Sequence, residues 1–166
     1  MKLNAGLNRL WSTPCKLDNI QIKDEYLNSA LTNEVHSELL SQVESVFDDY
    51  LKESLNLGLN NWKHKIQSWV NLYENNGMEY HTHHGSQISA VYYLMNEGGG
   101  EITFHDPRHF AARGYDMKFR KLFEPLVHNP MAGEIIVFPS YLYHTVRPAK
   151  GKRISIPFDL FLFDDD

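Results

Sequence analysis

With 166 residues, 42% of them hydrophobic and 22% charged, the chain has the composition of one ordinary globular domain, long enough to bury a real core. Its net charge of −5 provides no basic field, so a nucleic-acid backbone is not the expected partner. The single Cys15 excludes an internal disulfide and a cysteine zinc cage; with no signal-like run in "MKLNAGLNRLWSTP" and no segment near the ~20 apolar residues of a membrane span, the expectation is a soluble, cytoplasmic protein.

Taken in order, "KLDNIQI" reads as a short edge strand. A helix follows from Thr32 or Asn33. Val35, Leu39, Leu40, Val43, Val46, Phe47, Tyr50 and Leu51 recur at three- and four-residue steps, which makes one apolar face, and Gly58 with Asn60 and Asn61 ends it. After residue 64 the texture changes. "KIQSWVNLY", "QISAVYYL", "GEITFHD", "GEIIVFP" and "RISIPFDLFLF" are short β-prone runs, separated by the turn signals "ENNG", "NEGGGE", "NPMAGE" and "PAKGK". The expected fold is mainly β with N-terminal helices: a jelly roll, or double-stranded β-helix, forming a single domain over 1–166. Residues 1–63 are its helical support and 64–166 its core. The irregular stretch 106–131 is long enough to act as a lid.

The stretch "EYHTHHGSQISAVYYL" places His81, His83 and His84 within four positions. In extended chain, successive side chains alternate, so His81 and His83 point one way and His84 leaves that face. Two such histidines by themselves are as readily a hydrogen-bonded pair as half of a metal site. A third, His144, follows the hydrophobic run "GEIIVFP", and Arg153 and Ser155, two apart, share a face of the next run. Three imidazoles from two distant segments suit an open iron or zinc site. A nearby Arg with a hydroxyl suits the far carboxylate of a chelating keto acid. Hydrolase chemistry gains no support: Ser140 lacks the glycines of a nucleophile elbow, and Cys15 has no nearby His. "NEGGGE" is a tight turn, without the Lys-Ser/Thr ending of a phosphate loop.

From about residue 66 onward the chain resembles the prolyl-hydroxylase-like branch of the Fe(II)/2-oxoglutarate-dependent oxygenases, and especially its small bacterial and phage members. The resemblance is carried, in order, by "WVNLYENNGMEYHTH", "SAVYYLMNEGGGEITFHDPR", "AGEIIVFPSYLYHTVRP" and "RISIPFDLF". It implies that His81 is the first iron ligand and His144 the last. Arg153, with Ser155 and Tyr93, would receive the C5 carboxylate of 2-oxoglutarate, and Tyr73 would line the same pocket. The implied reaction takes Fe(II), 2-oxoglutarate and O₂ and yields succinate, CO₂ and a hydroxylated substrate, either a small molecule or a protein side chain such as proline.

The sequence departs from that family at one ligand. The pattern is His-x-Asp/Glu with a distal His, and position 83 is His. Either His83 ligates in a three-histidine centre, which is the expectation, or Asp106 of "HDPR" swings in, or the site binds metal without turnover. Alternative readings are a three-histidine cupin-type dioxygenase that needs no keto acid, and a non-catalytic jelly-roll module. His105, Arg108 and His109 are candidates for substrate contact, and an edge strand or the N-terminal helix offers a surface for pairing two copies.

Overall fold

The computed structural model describes residues 11–14, 33–108, 113–114 and 123–163. Its elements run β1 (Trp11–Pro14), α1 (Asn33–Leu55), a 3₁₀ turn (Leu59–Asn61), β2 (Lys63–Ser68), β3 (Asn71–Glu74), β4 (Met78–His81), β5 (Ile88–Asn96), β6 (Ile102–Phe104), β7 (Leu126–His128), β8 (Glu134–Pro139), β9 (His144–Val146) and β10 (Lys152–Phe163). The strands form two antiparallel sheets. The larger has the order β1-β8-β5-β10-β2, with β3 also paired to β10, and the smaller has the order β4-β9-β6-β7. This is the expected jelly roll.

The two longest strands explain the layering. On β5, Ile88, Ala90 and Tyr92 alternate with Ser89, Val91 and Tyr93; on β10, Ile156, Phe158 and Leu160 alternate with Ser155, Pro157 and Asp159. The first set joins Leu39, Val43, Phe47 and Leu51 of α1 in one apolar core. Val91 and Tyr93 of the other set join Ile102, Phe104, Ile136, Phe138 and Val146 in a second core between the sheets. The helix therefore backs the large sheet, and the sandwich interior is free to carry chemistry.

Several expectations change in detail. The helix stops at Leu55, short of Gly58, because Asn56 takes the left-handed conformation (φ 59°), which Asn tolerates. "KIQSWVNLY" is not one run: Trp69 and Val70 separate β2 from β3, and both strands pair with the long β10. The helical support region also contributes β1, on the far side of β8. Within the stretch 106–131, residues 126–128 form β7, which pairs with β6 and extends the small sheet. The run "KLDNIQI", Thr32 and His109 lie outside the described residues. No helix among the described residues is long and apolar enough to cross a membrane.

Candidate metal centre

His81 ends β4 and His144 begins β9, and the two face one another directly across the small sheet. A register irregularity in β4 between Met78 and His81 brings them opposite, and their ring centroids are 4.2 Å apart. His83 lies beyond the end of the strand, so simple alternation does not govern it. Its backbone N–H donates to the Ser140 carbonyl at 3.1 Å, which anchors the turn to the end of β8. Its ring centroid then stands 5.7 Å from that of His81 and 5.2 Å from that of His144.

Each of the three imidazoles donates Nδ1–H to an oxygen: His81 to the Glu79 carbonyl at 2.7 Å, His144 to the Leu142 carbonyl at 2.9 Å, and His83 to Asp159 Oδ1 at 2.6 Å. That fixes all three in the tautomer whose Nε2 lone pair is free. One donor atom from each lies within 4.8 Å of the others, a span that one ion closes by drawing the rings slightly together. Burial pushes the His144 pKa down to about 3, against the hydrogen bond to Leu142, which raises it. Burial likewise lowers His81, assisted by the neighbouring His83. Neutral imidazoles are what a metal requires.

The same pocket, of about 300 Å³, is lined by Tyr73, Tyr93, Arg153 and Ser155 as well as by the three histidines. Arg153 is 2% exposed, and its guanidinium carbon lies 4.9 Å from the Tyr73 ring centre and 5.1 Å from that of Tyr93. Its Nη1 donates to the Gly100 carbonyl at 3.2 Å. Gly100, at φ +67°, sits where the backbone favours glycine, and a Cβ there would come within 2.9 Å of Arg153 Cδ. A bulge on β5, where Leu94 is the extra residue, leaves Tyr93 opposite Ser155 and Asn96 opposite Arg153.

Two atoms of this cluster have no hydrogen-bond partner: Arg153 Nε and the Tyr93 hydroxyl. Among the described residues no carboxylate pairs with Arg153. A buried guanidinium is costly unless an anion meets it. Burial raises the Tyr93 pKa strongly, with the Arg153 charge opposing, and raises that of Tyr73 in the same way, so both hydroxyls stay protonated as donors. The residues thus fit both an ion at the histidines and an anionic group at the arginine.

The comparisons with known proteins agree with this geometry. Residues 67–159, more than half of the chain, match the family described as "Putative 2OG-Fe(II) oxygenase". The chain belongs to the 2OG-Fe(II) oxygenases. Membership implies Fe(II) and 2-oxoglutarate. No curated protein sequence matches. Among solved structures, a Pseudomonas putida prolyl-4-hydroxylase is 19% identical with a TM-score of 0.55, over 82% of this chain and 71% of that one. An oxidoreductase of the 2OG-Fe(II) oxygenase family from Burkholderia pseudomallei is 19% identical with a TM-score of 0.54, over 79% and 60%. A Trichoplax adhaerens prolyl hydroxylase, in complex with a hypoxia inducible factor oxygen degradation domain peptide fragment, is 18% identical with a TM-score of 0.52, over 78% and 59%. At these identities the likeness is one of fold, and the chain spans about 60% of the length of two of these proteins.

Other sequence expectations resolve differently. Asp106 is buried, and it accepts from Arg108 N–H at 2.7 Å, Nε at 3.0 Å and Nη2 at 2.8 Å. It initiates the turn before Pro107 and lies outside the histidine cluster. His84 is exposed and reaches only the pocket's rim. His105 packs on Tyr80, with ring centroids 5.0 Å apart, and neither His105 nor Arg108 lines the pocket. Trp69 and Asp159, which both meet the His83 ring, are lining residues that escaped the sequence reading. Trp69 is 41% exposed, and its ring centroid is 5.8 Å from that of His83. Asp159 was within reach, because it continues the two-residue step from Arg153 and Ser155 along one face of β10.

Proposed function

We propose that the chain is an Fe(II)- and 2-oxoglutarate-dependent dioxygenase that hydroxylates a substrate presented at the mouth of this pocket. His81, His83 and His144 would hold the iron through Nε2. Arg153, with Tyr93, Ser155 and Tyr73, would hold the C5 carboxylate of 2-oxoglutarate. The observation that carries this reading is the buried guanidinium and phenol, both incompletely bonded, in the same pocket as three clustered imidazoles.

When bound, iron and 2-oxoglutarate together supply O₂ activation, in which substrate C–H, 2-oxoglutarate and O₂ become substrate C–OH, succinate and CO₂. The chain's own residues set the geometry. The Glu79 and Leu142 carbonyls and Asp159 orient the imidazoles, the two tyrosine rings hold Arg153 in place, and Val91, Ile102 and Val146 keep the pocket wall apolar. The exposed Trp69 beside His83 provides a flat apolar contact for the entering substrate, which suits a peptide side chain such as proline. The peptide in the Trichoplax structure supports that class. A reducing cytoplasm suits a ferrous centre.

The three-histidine set also fits a dioxygenase that cleaves its substrate without a keto acid. The experiment that separates the two readings is anaerobic loading with Fe(II) and 2-oxoglutarate, exposure to O₂, and measurement of succinate. Uncoupled succinate release that disappears in Arg153→Ala supports the proposal. No 2-oxoglutarate consumption under any condition, with the metal bound, overturns it.

A further inference from the structure

We propose that Asp159 supplies, through His83, the negative charge that this metal site lacks among its own ligands. The inference rests on the proposed three-histidine centre. The other two imidazoles donate to neutral backbone carbonyls, whereas His83 donates to a carboxylate, at 2.6 Å, and both partners are buried. Asp159 Oδ1 also accepts from Ser89 Oγ at 2.7 Å.

The direction of the hydrogen bonds shows what Asp159 is. Ser89 uses its only proton on Asp159, so the 2.8 Å contact between Ser89 and Ser140 is donated by Ser140. Ser140 in turn accepts from Ser86 at 2.7 Å, and Ser86 lies 3.2 Å from the carbonyl of His83 itself. The hydroxyls form a one-way relay from Ser86 through Ser140 and Ser89 to Asp159 Oδ1, which accepts from Ser89 and from the His83 ring. Asp159 thus places a carboxylate directly behind one ligand imidazole and behind neither of the other two.

A carboxylate behind a ligating histidine fixes its tautomer and makes the imidazole a stronger donor. Position 83 is where the family pattern places a carboxylate ligand. In this chain the charge has moved one residue outward, from the ion's own shell to β10. Asp159 is a positioning residue, since it touches the ligand and not the reacting atoms. One consequence is that His83→Asp, taken alone, does not restore an ordinary site, because it sets a second carboxylate against Asp159.

The test uses the full chain, without 2-oxoglutarate, titrated with Co(II) and followed by its visible absorption. Asp159→Asn, nearly the same shape, is expected to weaken Co(II) binding about 10–100-fold while the circular dichroism stays unchanged. His83→Asp should bind more weakly than the unaltered protein, and His83→Asp/Asp159→Asn should regain affinity over His83→Asp alone. A purely structural role for Asp159 would make the double variant worse, not better. In metal-free unaltered protein, the nitrogen shifts of His83 should report a protonated Nδ1. Asp159→Asn affinity within twofold of the unaltered protein, a double variant no better than His83→Asp, or a bare Nδ1 on His83 would each overturn the inference while leaving the three-histidine centre standing. Failure of the unaltered protein to bind Co(II) would overturn both.

Discussion

The two faces of the large sheet are built from the same strands and do opposite work. Toward α1, β5 and β10 present Ile88, Ala90, Tyr92, Ile156, Phe158 and Leu160 to a helix carrying Val43, Phe47 and Leu51, all buried in one core. Toward the small sheet, one residue over, the same strands present Ser89, Tyr93, Arg153, Ser155 and Asp159. On the first face the side chains join in one apolar core. On the second, Arg153 Nε and the Tyr93 hydroxyl are buried without a hydrogen-bond partner. The contrast separates what folds this protein from what it does, and substitutions on the two faces should therefore fail in different ways.

The largest expected effect is on the helix face. Phe47 is fully buried, so Phe47→Ala should lower unfolding stability by about 3–5 kcal/mol in urea titrations. Co(II) affinity per folded molecule should not change; a parallel loss of affinity would mean the faces are not independent. On the opposite face, Arg153→Ala should weaken 2-oxoglutarate binding by about 2–4 kcal/mol, because it strands a buried carboxylate, without lowering stability. Unchanged affinity in calorimetry would place the anchor elsewhere.

Gly100→Ala should have a smaller and mixed effect. Its left-handed backbone adds about 1–2 kcal/mol of strain, and the new methyl meets Arg153 Cδ, so stability and 2-oxoglutarate affinity should fall together. Loss of stability alone would show that the turn does not position the arginine.

The smallest effect is on pH dependence. His144 titrates at about 3 in the folded metal-free chain, against an ordinary value of 6.5. As pH falls below 6.5 the unfolded chain takes up that proton first, so the His144 contribution, intact above 6.5, is lost progressively towards pH 3. Urea midpoints at pH 7 and 5 should therefore differ more in unaltered protein than in His144→Gln. Equal differences would mean that burial of this imidazole costs little.

The helix face was the more legible of the two in sequence, because its signal is periodic. Leu39, Val43, Phe47 and Leu51 announce themselves at fixed spacing, as do Ile88, Ala90 and Tyr92. The candidate site residues come from a different route, as residue types in a family order, and the structure puts all seven along one pocket. What the sequence could not show is convergence. His83 reaches its neighbours from a turn held by the Ser140 carbonyl, not from strand alternation. Trp69 reads as part of a continuous strand until the break between β2 and β3 exposes it. Asp159 passed as an isolated acid in "RISIPFDLFLF", because its meaning depends on a hydrogen bond to a residue 76 positions away.

The most direct test is an anaerobic crystal structure with Fe(II) and an unreactive analogue of 2-oxoglutarate. The expected result is one ion held by Nε2 of His81, His83 and His144, with the analogue's distal carboxylate meeting Arg153 and the Tyr93 hydroxyl. An ion held without either His81 or His144, or a carboxylate seated away from Arg153, would contradict it.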